Sequence, residues 1–190
     1  MRLTKDPRHQ TPRSISPDGT ALLIEDRNAS ELLDVSLVAF PEGGDGQPLL
    51  HSEFNQEDAA FAPDGRFFAY ASDASGRYEI YVRPFPNVED GIWQVSRDGG
   101  TQPVWARDGR ELFHASPDGK LMSVSVEIGE DFTYGNPETL IAGTYFAEGY
   151  DISSDGERFL TIKETEASAT ELVVVLNWFE ELKRLAPTRN

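Results

Sequence analysis

One local pattern occurs four times along this 190-residue chain and restricts its fold more than any other feature. The dipeptides Asp18-Gly19, Asp64-Gly65, Asp108-Gly109 and Asp155-Gly156 stand 46, 44 and 47 residues apart. Three residues before each Asp is a large apolar residue (Ile15, Phe61, Trp105, Ile152), and four residues after it another (Leu22, Phe68, Leu112, Phe159). A period near 45 residues belongs to stacked repeats, either four-stranded propeller blades or helical pairs of the HEAT kind. The alternation separates the two. Met122, Val124, Val126 and Ile128 fall on one face of their segment and Ser123 and Ser125 on the other, which is the period of a strand. The segments FFAYAS, EIYVRPF and ELVVVLNW are short, rich in β-branched and aromatic residues, and bounded by Gly, Pro, Asp and Ser. The expected fold is therefore all-β: a β-propeller over residues 1–176, its four blades starting near residues 15, 59, 104 and 150 and forming either a small ring of their own or part of a larger propeller.

Within a blade, the first strand ends just before Asp-Gly and the dipeptide makes the tight turn. Gly accepts positive φ without steric cost, and the Asp carboxylate can bond its own turn. A second strand, a polar loop, a third strand and a short fourth strand follow, as in RFFAYAS, DASGR, YEIYVRPF and IWQVS of the second blade. Asp118-Gly119 falls off the period and reads as a shorter hairpin inside the third blade. The fourth blade has no fourth strand of its own. Propellers remove exposed edges by letting one end of the chain complete a blade at the other, so residues 1–13, through Arg2-Leu3-Thr4, are expected to close the ring. Residues 177–190 read as an amphipathic helix, with Asn177 as N-cap, Trp178, Leu182 and Leu185 on one face, and Pro187 as the stop.

The phrases SPDG, FAPDGRFFAYAS and GRYEIYVRPFP resemble TolB-like β-propeller repeats. The stretch IWQVSRDGGTQPVWARDGRELFHAS and the ending ELVVVLNWFEELKR are similar to the C-terminal part of bacterial receptor-type serine/threonine kinases, which join a kinase domain, a membrane helix and an extracytoplasmic propeller. This resemblance implies a non-catalytic sensor or scaffold module that binds a protein or ligand. Two further readings share the fold: the accessory propeller of a prolyl-oligopeptidase-like serine peptidase, and a TolB-like periplasmic scaffold. The sequence has no glycine-rich nucleotide loop, no HRD or DFG triplet and no G-x-S-x-G nucleophile elbow, so no catalytic residue and no cofactor is expected within it. The start lacks an apolar signal region, which implies the cytoplasm for a chain standing alone and the periplasm for the propeller of a receptor.

Other chemistry finds little support. There is no cysteine, and His9, His51 and His114 lack the spacing of a zinc site, so no metal is expected. The recurrent aspartates lack the alternating oxygen ligands of a calcium loop. Ser96, Asp98 and Gly100 imitate a sialidase-type Asp-box, but Gln102 and Pro103 break it. Lys plus Arg number 17 and Asp plus Glu 33, a net charge of −16 that repels nucleic acid. The longest purely apolar run, Leu172 to Leu176, is too short to enter a bilayer. What remains is a channel mouth where the loops entering each first strand converge: Glu57, Asp58, Thr101, Gln102, Glu148 and Gly149. Its carboxylates are expected to favour a basic peptide or protein partner. Open propeller edges are expected to invite self-association.

Overall fold

A computed structural model describes residues 3–129, 131–143, 149–153, 156, 158–163 and 171–175. The described residues form four antiparallel sheets, one for each repeat. The first holds β1 (Gln10–Ile15), β2 (Ala21–Arg27), β3 (Leu33–Ala39) and β4 (Gln47–Leu50), paired in that order. The second repeats this with β5 (Gln56–Phe61), β6 (Phe67–Ser72), β7 (Glu79–Pro84) and a two-residue outer strand, β8 (Trp93–Gln94). In the third, β9 (Thr101–Trp105), β10 (Glu111–Ala115) and the long β11 (Leu121–Ile128) follow in order. Two short strands, β12 (Phe132–Tyr134) and β13 (Glu138–Ile141), share the outer side of β11. The fourth has β14 (Tyr150–Ile152), β15 (Phe159–Lys163) and β16 (Glu171–Val175).

The turns follow from their residues. Gly19, Gly65, Gly109 and Gly156 all have φ between 70° and 73°, a region closed to most side chains. Asp18, Asp64 and Asp108 each accept a hydrogen bond at Oδ1 from the backbone N–H two residues on, at 3.0–3.1 Å. Ser16, Thr20 and Asp18 close a small network that holds the Asp18 carboxyl below its usual range, the Ser16 hydroxyl contributing most. Asp118-Gly119 turns β10 into β11, with Ser116 and Lys120 on the Asp118 carboxylate. Asp155 lies outside the described residues.

The core sits in the seams between neighbouring sheets. Leu23, Val35 and Leu50 of the first blade pack with Phe61, Phe68 and Tyr70 of the second. Ala69, Ile80 and Val82 pack with Trp105, Leu112 and Phe132 of the third. Phe113 and Leu121 pack with Phe159, Tyr150 and Ile152 of the fourth. A buried carboxylate secures the outer return of the first two blades. Glu79 accepts from Gly99 N–H at 3.1 Å and from Ser96 Oγ, and pairs with Arg77 at 2.6 Å. Asp34, 45 residues earlier, meets Asn28 Nδ2 at 3.1 Å and His51 Nδ1.

One expectation is corrected. Among the described residues, 3–13 do not pair with the fourth blade, whose sheet is β14-β15-β16. Gln10–Ile15 is the first strand of the first blade, and residues 3–9 lie along that blade as a strap. Leu3 packs on Leu22, Ile24 and Val38, and its carbonyl accepts from Gly44 N–H at 2.8 Å. Arg8 donates to Arg27 O at 2.7 Å and lies 3.6 Å from Asp26. The apolar face of the first blade is nearer in sequence than the distant edge, and Leu3 covers it. The expected helix over 177–190 falls outside the described residues.

Candidate functional site

The four inner strands β1, β5, β9 and β14 border one cavity of about 870 Å³. The position six residues before each turn Asp governs its geometry. These positions are Pro12, Asp58, Gln102 and Gly149. β1, β5 and β9 bulge here, losing register between Pro12 and Ser14, between Glu57 and Ala60, and opposite His114. Asp58 and Gln102 take φ of 58° and 56°, and Gly149 takes 120°. A bulge turns backbone groups out of the ladder and re-aims side chains. Here the freed groups meet the next blade.

The result is a polar chain across all four blades. Arg13 on β1 grips the buried Glu25 of β2 with both ends of its guanidinium, at 2.6 Å each. Glu25 also accepts from Asp58 N–H in the second blade. Asp58 pairs with Arg13 at 3.2 Å and accepts from Gln102 N–H of the third blade at 3.1 Å. Gln102 O accepts from the Tyr150 hydroxyl of the fourth at 2.9 Å. Burial holds the Tyr150 hydroxyl well above the ordinary tyrosine range. Phe61 N–H to Ser14 Oγ and Trp105 Nε1–H to Ala60 O add two further links between neighbouring blades.

Of the six expected mouth residues, Asp58, Gln102 and Gly149 border the cavity. Glu57 and Thr101 are not among its lining, and Glu148 lies outside the described residues. Thr101 sits in the β9 ladder opposite Ala115. Glu57 turns to Tyr78. Burial first, then Asp58 and Glu25, raise the Glu57 carboxyl to about 7; burial and the nearby Glu57 carboxylate push the Tyr78 hydroxyl to about 12. The lining also includes Arg13, Trp105, Arg107, Tyr150 and Asp151, which sequence reasoning did not place at the mouth. Counting six and five residues back from each Asp finds Arg13 and Tyr150 as well as Asp58 and Gln102. The cavity thus carries both signs of charge, and the Asp58 carboxylate is already bonded within the fold.

His114 is buried between the second and third blades, where burial lowers its imidazole pKa. Gly100 leaves it room, for a Cβ there would stand 2.9 Å from His114 Nδ1. Among the described residues, no three His, Asp or Glu side chains converge as a metal site, and no helix is long and apolar enough to cross a membrane.

The fold is that of a TolB-like β-propeller. TolB from Acinetobacter baumannii superposes with a TM-score of 0.64 at 17% identity, over 90% of this chain and 41% of that one. The putative TolB from Agrobacterium tumefaciens gives 0.65 at 16% identity, over 86% of this chain and 60% of that one. In sequence, the chain is 25% identical over 187 residues to the uncharacterized peptidase YuxL of Bacillus subtilis. That match covers 92% of this chain and 26% of YuxL, so the chain spans about a quarter of its relative's length. No family model matches.

Proposed function

We propose that this chain is a non-catalytic propeller module that holds an extended peptide at its channel and serves as the accessory domain of a serine peptidase of the prolyl-oligopeptidase kind. The observation that carries this reading is the likeness to a peptidase along nearly the whole chain. The cavity supports it: about 870 Å³ is within the usual range of ligand sites, and the inner strands of all four blades border it. With Arg13 and Asp58 paired to each other, Arg107 and Asp151 offer both charges, so recognition rests on an extended backbone with side chains of either sign rather than on basic peptides alone. The sensor of a receptor-type kinase would bind by the same surface, but the peptidase relative favours the hydrolytic setting. Acyl-transfer chemistry would then belong to a catalytic domain beside the propeller, since a fold of this kind supplies a site and not a reaction.

The test is covalent labelling. The native polypeptide, captured by an antibody against this propeller, is expected to react with a fluorophosphonate serine-hydrolase probe, whereas the isolated 190-residue chain is not. A captured polypeptide that stays unlabelled while a known serine peptidase in the same extract reacts would overturn the peptidase reading.

A further inference from the structure

The position six residues after each turn Asp is buried in every blade: Ile24, Tyr70, His114 and Thr161. Ile24 is apolar and needs no partner. The Tyr70 hydroxyl accepts from Arg83 Nε–H at 3.0 Å, and Thr161 Oγ1 donates to Gly149 O at 3.5 Å. His114, 2% exposed, is served less well. Its Nδ1 lies 3.5 Å from Ala115 O, at the limit of a hydrogen bond, and its Nε2 has no partner among the described residues. With Nδ1–H directed at that carbonyl, Nε2 is a bare acceptor. A proton added there makes a buried donor that nothing accepts.

The ring stands in the seam between the second and third blades, where it converges with Ile80 and Ser96 on Gly100. Glu79 acts on it from β7, but that carboxylate is already bonded to Arg77, Ser96 and Gly99. Arg97 and Asp98, on the loop leading to β9, are exposed, and β6, β9 and residues 121–126 of β11 carry no charge. The same seam holds a link to the channel. Gly100 N–H donates to Tyr78 O at 2.9 Å just before β9, and β9 bulges opposite His114 at Gln102, whose N–H reaches Asp58. We infer that this seam is an acid-sensitive joint: protonation of His114 parts the entry to β9 from the second blade, and Gln102 leaves Asp58 and the polar chain of the channel. Burial lowers the His114 pKa from 6.5, the value that an opened seam restores. The opened form therefore binds more protons, and it gains on the closed form as pH falls below 6.5. The inference concerns the seam alone and stands apart from the peptidase reading.

Hydrogen exchange followed by NMR on the full 190-residue chain tests it. Protection of the Gly100 and Gln102 N–H groups, corrected for intrinsic exchange, is expected to fall more than about fivefold from pH 7.5 to pH 5, while the amides of β2 and β3 keep theirs. His114→Leu is similar in size and gains no proton, so the fall should vanish. Glu57 titrates in both proteins, so the difference between them belongs to His114. The imidazole resonances of the wild type give a measure that needs no variant, and His114 should titrate below 6.5. The inference is overturned by a His114 that titrates at 6.5 or above, by protection that holds at pH 5 or falls equally in β2 and β3, or by a fall that persists in His114→Leu.

Discussion

Glu57 sits where charge is least welcome. Its carboxyl is partly desolvated and lies near Asp58, Glu25 and Asp73, with Arg13 as the opposing charge and the Tyr78 hydroxyl beside it. The raised pKa of about 7, against 4.5 for a free glutamate, sets the direction of a pH effect. Between these values the folded chain binds a proton that the unfolded chain has released, so stability falls as pH rises through this window and levels off above about 7. Glu57→Gln mimics the protonated form. Its melting temperature should match the wild type below the window and exceed it increasingly from pH 5 to pH 8; a difference that does not change with pH would show that burial leaves this carboxyl unshifted. None of this was legible in the sequence. The sequence places Glu57 in a charged mouth because it lies where a loop enters a strand, but the bulge at Asp58 turns it away from the channel, and bulges leave no clear mark in composition.

At the scale of the strand, the repeat made the architecture readable and hid the links between blades. The Asp-Gly turns, the period-two segments and the off-period hairpin at Asp118 needed only neighbours within a few residues. The polar chain joins Glu25 to Asp58, Asp58 to Gln102 and Gln102 to Tyr150, partners 33, 44 and 48 residues apart. Arg13 and Glu25 have no counterpart in later repeats, so the pattern that reveals the blades conceals the pair that ties the first to the second. Asp58 is the central member, bonded to Arg13 and to the Gln102 N–H. Asp58→Ala would strip an acceptor from a part-buried N–H and place Ala at φ 58°, costing about 2–3 kcal/mol. Asp58→Asn keeps an acceptor and tolerates that φ, so it should cost less than half as much. Urea unfolding of the two variants checks the order; equal losses would mean that the ion pair with Arg13, and not the link to Gln102, supplies the stability.

Across the whole molecule, one apolar face of the first blade is covered by means the sequence did not reveal. Such a face needs a cover, because it otherwise meets water. One leucine and a few backbone bonds do this work here, too small a signal to separate from any polar tail. The strap depends on close approach at Gly43, whose φ is 76° and where a Cβ would stand 2.3 Å from the Leu3 carbonyl oxygen. Gly43→Ala must therefore lift Leu3 from Leu22, Ile24 and Val38. Gly19 supplies the control, since its φ of 72° imposes the same backbone cost while no atom lies within 4 Å of its Cβ position. Both variants should lose about 1 kcal/mol from backbone strain. Gly43→Ala alone should bind more of a hydrophobic dye and be cut faster by trypsin after Arg8, as the strap comes away and Arg8 leaves the Arg27 carbonyl. If the two variants bound the dye equally, Leu3 would not be what keeps the face of the first blade from water, and the cover would have to come from Phe40, which packs on the same cluster.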